Sequence, residues 1–285
     1  MTGVSVADLT LHEAAELLGV HYMTAYRYVR LGVLPAVKVG GTWQVAAADV
    51  QAFKVGVPAA VAGEAPARRR APWASRLEAR LVAGDGRGAW GVVEAALAAG
   101  TELDEIYLDV IAPAMRSIGA RWEAGELDIA VEHRASGIAL RLLGRLGPRF
   151  ARRGRTRGTV LLGTPAGERH SLPVAMLADL LRGEGWEVSD IGADLPVESF
   201  VRAAVEAPDL VAVGVSVTSE DNLEAAAEVL HALCAAVDHA HVVVGGAAIA
   251  DEAHALALGA RGWASSARDF TAQLQGRAAP GSRTV

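Results

Sequence analysis

The second half of the chain alternates short apolar runs with amphipathic stretches, and this alternation constrains the fold more than any other feature. Between residues 158 and 274, "TVLLGT", "WEVSDIG", "LVAVGVS" and "HVVVGG" read as strands. "SLPVAMLADLLRGEG", "VESFVRAAVEA" and "NLEAAAEVLHALCAAV" read as the helices between them, and "GWASS" with "DFTAQLQ" completes a fifth strand and helix. Repeated βα units of this length predict a doubly wound, parallel five-stranded sheet. Ligands of such sheets bind beyond the carboxyl ends of the strands, at the switch point. The positions to inspect are therefore Glu168 and His170 in "PAGERHSL", Ser216 in "GVSVTSED", and the pair Gly245-Gly246.

The rest of the chain makes this a multidomain α and α/β protein. Residues 73–146 carry four helical segments, Trp73–Val82, Arg87–Ala99, Leu103–Arg121 and Asp128–Leu146, whose short joints predict an antiparallel four-helix bundle. On the last segment Ile129, His133, Ser136/Gly137 and Leu140 recur at helical spacing, placing a histidine on an apolar stripe with two small residues a turn later. Residues 1–56 open with "TLHEAAELLGV", where Thr10 and Glu13 form a capping-box signature. A second helix, "HYMTAYRYVRLGVL", follows Gly19, and "PAVKVGGTWQV" reads as a hairpin with Gly40-Gly41 at its tip. Helix, turn, helix and hairpin is the layout of a winged helix-turn-helix. Residues 57–72 read as a linker, "GPRFARRGRTRG" at 147–158 as a solvated basic joint, and 276–285 as a disordered tail; the sheet domain spans 158–275.

Composition excludes some classes. No apolar run reaches the roughly 18 residues needed to span a membrane, and the N-terminus lacks the pattern of a secretion signal. One cysteine, Cys234, leaves no intrachain disulfide framework, so a reducing cytoplasm is expected. The net charge of −6 gives no global sign of nucleic-acid binding. Residues 1–56 hold four basic and four acidic side chains, so one copy of that block should bind DNA weakly and a homo-oligomer is expected. A receiver domain needs clustered acids after the first and third strands, where this chain has Thr164 and Ser216. His231, Cys234, His239 and His241 straddle a helix end and a strand, and read as one core thiol among mostly solvated imidazoles.

A histidine on a strand-end loop beside a carboxylate suits a metal-ligating imidazole whose other nitrogen is fixed by an acceptor. Together with Ser216 and Gly245-Gly246, the "GERH" loop resembles the cobalamin-binding domain, whose pattern is Asp-x-His-x-x-Gly, then Ser, then Gly-Gly. The resemblance implies that His170 is the metal ligand below cobalt, that Glu168 orients it, and that the nucleotide tail runs near Ser216, Gly245 and Gly246. Glu168 stands where the pattern has Asp, and Pro173 where it has Gly. Block one resembles the excisionase/MerR-type DNA-binding family. In that reading Thr24, Arg27 and Tyr28 face DNA, while Lys38, Gly40 and Gly41 touch its backbone.

The stretch "RWEAGELDIAVEH" resembles, more narrowly, the CarH-type photoreceptor regulators, through Trp122 followed after nine residues by Glu132-His133. This implies that Trp122, Glu132 and His133 line the space above adenosylcobalamin. It also implies that light, by breaking the Co–C bond, changes assembly and affinity for operator DNA. Such light sensors carry His directly after the Trp, where this chain has Glu123. Two other readings stay open: a corrinoid carrier serving a methyltransferase, and a dark, cobalamin-responsive repressor. None makes the chain an enzyme.

Overall fold

The computed structural model describes residues 8–18, 20, 22–30, 34–39, 42–54 and 71–277. The chain forms two compact units, Met1–Arg69 and Arg70–Val285.

In the first unit β1 (Asp8–Thr10) leads into α1 (Leu11–Leu18), followed by α2 (Tyr22–Arg30), β2 (Val37–Val39), β3 (Thr42–Ala46) and α3 (Ala47–Lys54). The expected capping box forms: the Thr10 amide donates to Glu13 Oε2 at 2.8 Å and the Glu13 amide donates to Thr10 Oγ1 at 3.3 Å. The two helices place Leu11, Ala14, Ala15 and Ala25 against Val45 and Val50. β2 and β3 pair antiparallel with Val39 opposite Thr42, while the expected tip, Gly40-Gly41, lies outside the described residues. Sequence reading missed β1, which pairs with the other edge of β3. Three residues are too few to show a period, and their pairing partner is remote in sequence.

The second unit begins with the bundle: α4 (Trp73–Val82), α5 (Gly86–Ala98), α6 (Leu103–Glu105), a π-helical segment Ile106–Ile111 continuing into α7 (Ala112–Glu123), and α8 (Ile129–Leu146). Asp85 and Asp128 cap α5 and α8 by accepting from the amides of Gly88 and Ala130. Leu77, Leu81, Val93, Ile111, Ile118, Ile138, Leu142 and Leu146 form the core.

The sheet follows as β4 (Thr159–Gly163), α9 (Leu172–Gly183), β5 (Glu187–Asp190), α10 (Val197–Glu206), β6 (Leu210–Ser216), α11 (Leu223–Ala236), β7 (His241–Gly245), α12 (Glu252–Ala257), β8 (Gly262–Ala264) and α13 (Ala267–Leu274). Its strands are parallel in the order β5-β4-β6-β7-β8. Side-chain alternation sends Leu161, Val213, Val215, Val242 and Val244 to one face, with Phe200 and Leu230. Val160, Leu162, Ala212 and Val243 go to the other, with Ala178 and Leu181. Sequence reading missed α12, whose six residues are too few for a helical period.

Helix α9 joins the two layers. Val174, Ala178 and Leu181 pack on the sheet, whereas Met176, with Leu172 and Ala175, belongs to the bundle core. Its Asp179 accepts a 2.8 Å hydrogen bond from the buried hydroxyl of Tyr107, in the π-helical segment. Burial, and then this bond to Asp179, push the Tyr107 phenol far above its usual ionisation range. An ion pair between Arg268 of α13 and Asp109 also crosses the joint, at 3.3 Å.

Candidate corrinoid-binding site

The strand order reverses between β4 and β6, and the loops leaving those two strands meet through Glu168. Its carboxylate is completely buried. Oε2 accepts from the amides of Thr218 at 2.7 Å and Ser219 at 3.0 Å, and from Asn222 Nδ2 at 3.3 Å. Oε1 accepts from the His170 amide at 3.1 Å and faces His170 Nδ1 at 2.5 Å. Burial alone would raise the pKa of this carboxyl. The donors from Ser219, Thr218 and His170 outweigh it and hold the group down at about 2. Glu168 is therefore ionised across the physiological range.

An ionised carboxylate only accepts hydrogen bonds, so Nδ1 of His170 carries the proton. The tautomer with that proton on Nδ1 has its lone pair on Nε2. The ring is 52% exposed, so that nitrogen is presented outward from a fixed base. The geometry suits a soft or borderline metal held by one protein ligand with an ionised carboxylate behind it.

The loop carrying the pair is tightly held. The fully buried Thr164 donates to the carbonyl of Glu168 at 2.5 Å, and its hydroxyl accepts from the Asp194 amide at 3.0 Å. Asp194 Oδ1 accepts from Gly167 N at 2.7 Å, and Gly167 needs its glycine because φ is +85° there. Sequence reasoning missed this support: Thr164, Asp194, Thr218, Ser219 and Asn222. The only local signal was polar "TSEDN" directly after a β run.

Ser216 ends β6, half-buried, and pairs in register with Gly245 at the carboxyl edge of β7. The glycine pair was expected to admit a ligand, but both glycines are already required by the chain itself. A Cβ on Gly245 would meet the Ala264 carbonyl oxygen at 2.8 Å. Gly246 has φ +109°, and a Cβ there would run into the backbone of Val217.

On the bundle, Glu132 and His133 lie together near the start of α8. Glu132 Oε2 is 2.7 Å from His133 Nδ1, and its Oε1 accepts from Ser136 Oγ at 2.6 Å. Trp122, on α7, is 40% exposed. The stripe that carries His133 and the small pair Ser136/Gly137 is turned outward: Ile129 and Leu140 are each 42% exposed and His133 is exposed. Ala135, Ile138, Ala139, Leu142, Leu143 and Leu146 form a longer apolar stripe on the same helix, and the larger buried area wins. α8 thus presents an outward band of apolar, small and polar side chains. No described hydrogen bond or ion pair links the Trp122–Glu132–His133 group to the Glu168–His170 group.

In the first unit, Thr24, Arg27 and Tyr28 lie on α2, and only the helical backbone of Thr24 and Arg27 is described. Tyr28 is half-buried with its ring 5.0 Å from that of Phe53, so much of it serves the unit's own core. Lys38 is exposed on β2, over the Trp43 ring at 5.9 Å. Cys234 is half-buried against the sheet core and donates to the Gly259 carbonyl. No cluster of three metal-ligating side chains occurs among the described residues, and none of their helices is long and apolar enough to cross a membrane.

A helical bundle packed on a doubly wound sheet, with a carboxylate-anchored imidazole at the switch point, defines a class of metal-cofactor-binding proteins. A B12 binding domain model matches residues 158–269, a second one matches 73–146, and a helix-turn-helix domain model matches 9–54. The dimethylamine corrinoid protein of Methanosarcina barkeri is 31% identical over 182 residues, covering 61% of this chain and 83% of that protein. The trimethylamine corrinoid protein of the same organism is 28% identical, covering 65% and 86%. For trimethylamine corrinoid protein 1 of Methanosarcina acetivorans, at 31% identity, the match spans only 58% of its length. The solved monomethylamine corrinoid protein of M. barkeri shares the fold with a TM-score of 0.61 at 20% identity, over 70% of this chain and 94% of that one. The chain belongs to the corrinoid-protein family and is a cobalamin-binding protein with an N-terminal helix-turn-helix domain. Its relatives are named as corrinoid proteins rather than as enzymes, in line with the expectation that this chain is not one.

Proposed function

We propose that the chain is a carrier-type corrinoid protein that holds cobalamin with His170 beneath cobalt. The observation that carries this reading is the Glu168–His170 pair: a buried, fully ionised carboxylate fixes one ring nitrogen and leaves the other exposed. In this reading Ser216, Gly245 and Gly246 flank the nucleotide tail, and Trp122, Glu132 and His133 lie above the corrin. A bound cobalamin would supply a transferable or light-labile upper group on cobalt. The chain's own residues orient the lower ligand, keep Nδ1 protonated and cover the upper face. The relatives support a methyl-carrying form.

One observation favours a second reading, regulation through DNA: the helix-turn-helix match over residues 9–54, which a carrier does not need. In that reading α2 enters the major groove as part of a winged helix-turn-helix, with Thr24, Arg27, Tyr28, Lys38 and the Gly40-Gly41 hairpin at the DNA. Adenosylcobalamin is then the ligand, several copies assemble on an operator, and light or occupancy is the signal. One experiment separates the two. The purified chain is loaded in darkness with methylcobalamin or adenosylcobalamin, then assayed for duplex DNA binding and oligomeric state before and after green light. Binding of the methyl form with no DNA or assembly response supports the carrier. An adenosyl-dependent DNA response supports the regulator, and absence of binding to both cobalamins rejects the shared core of the proposal.

A further inference from the structure

From Glu132 to Glu168 the chain has no acidic residue but eight arginines, in a protein whose net charge is −6. They are Arg134, Arg141, Arg145, Arg149, Arg152, Arg153, Arg155 and Arg157. Three are engaged. Arg134 donates to the Val82 carbonyl, Arg145 lies over the Trp90 ring at 4.9 Å, and Arg157 donates to the Gln275 carbonyl while covering Trp186. The other five are exposed, and none has an ion-pair partner among the described residues.

Their placement is ordered. Arg141 and Arg145 are four residues apart on α8, about 6 Å along its axis, and Arg149 follows four residues later at the end of the 3-10 turn Gly147–Arg149. Arg152, Arg153 and Arg155 follow, all exposed, in the irregular segment leading to β4. Two acids line the adjoining groove beside Ala151. Asp179 is already bonded to Tyr107 and Arg182, and Asp190 accepts from the Gly192 amide. A joint that only needed solvation would be served by mixed charges. A one-sign strip of guanidinium groups costs self-repulsion and suits a polyanion.

We propose that this arginine strip is a second, sequence-independent contact to the phosphate backbone of duplex DNA. The choice of DNA over an acidic protein rests on the helix-turn-helix reading of residues 9–54, and on nothing about cobalamin. Residues 1–56 carry equal numbers of basic and acidic side chains, which leaves that unit short of the phosphate contacts that dominate affinity. The strip supplies them from the corrinoid-binding unit.

The test uses the full chain and its variant Arg149→Gln/Arg152→Gln/Arg153→Gln/Arg155→Gln on a 40-base-pair duplex of arbitrary sequence, by fluorescence anisotropy across a salt series. The slope of log affinity against log salt should fall by about 2 to 4, at roughly 0.9 per lost phosphate contact. Affinity near 0.1 M salt should drop by about 100-fold or more. Thermal midpoint and cobalamin spectrum, read on the same samples, should match the parent. A slope change below about 1 with affinity within twofold overturns the proposal, as does a parent chain that fails to bind the duplex. If poly-glutamate binds the parent as tightly as DNA does, and the variant loses both, the surface belongs to acidic proteins and the DNA assignment fails. Colour on mixing with cobalamin reports separately on the His170 reading.

Discussion

Replacing Glu168 with Gln tests how the imidazole is held. The carboxyl sits at about 2 instead of its ordinary 4.5. At ~1.4 kcal/mol for each tenfold change in acidity, the fold favours the ionised form by about 3 kcal/mol. An amide cannot replace it, because Oε2 receives three donors and Oε1 two, all from Thr218, Ser219, Asn222 and His170. An NH2 group at either position would face donors. Glu168→Gln should therefore lower stability at pH 7 by about 3 kcal/mol, or about 6–12 °C in midpoint for a unit of this size. The pH dependence fixes the sign. A depressed folded-state value contributes stability that is fully present above pH 4.5 and is lost as pH falls towards 2. The parent should lose that increment across this window, while the variant should not. Cobalamin affinity should fall 10- to 100-fold, the usual effect of removing a ligand's orienting partner. Urea unfolding at pH 7, 4.5 and 3, with a cobalamin titration, reads all three effects. A variant as stable as the parent at pH 7, or one with the same acid dependence, would refute the reasoning.

Further perturbations separate fold from site. Tyr107→Phe removes the buried donor to Asp179 and should cost about 1–3 kcal/mol in urea unfolding, with the bundle and sheet still melting together. Gly246→Ala puts a methyl group against Val217 backbone at φ +109° and should destabilise by about 2–4 kcal/mol, read as a lower thermal midpoint with no ligand present. Trp122→Ala, at a 40% exposed position, should change stability by less than about 1 kcal/mol yet weaken cobalamin binding at least tenfold. Equal binding by that variant would remove Trp122 from the upper face.

Elements with a strong local period were legible in the sequence. Trp73–Val82 is a helix with the expected bounds, and Leu210–Ser216 a strand with the expected bounds. Features set by partners remote in sequence were not. β1 exists because β3 accepts it, and the π-helical segment carries Tyr107, whose partner Asp179 lies 72 residues away. On α8 two apolar stripes share the same spacing, and spacing alone cannot tell which is buried. The core-facing one carries six buried residues, so His133 and Leu140 turn outward. At the site, the Glu168–His170 pair was readable because both residues share one loop. Thr218, Ser219 and Asn222, which set the charge state of Glu168, arrive from the far side of the switch point.

The most direct measurement is electron paramagnetic resonance of cob(II)alamin bound to the chain labelled with 15N-histidine. A lower ligand from the protein would give each cobalt line a 15N doublet in place of the 14N triplet of the unlabelled sample. His170→Ala should abolish that doublet. A 14N triplet that persists in the labelled protein would mean that the nucleotide base still holds the cobalt, and would contradict the account.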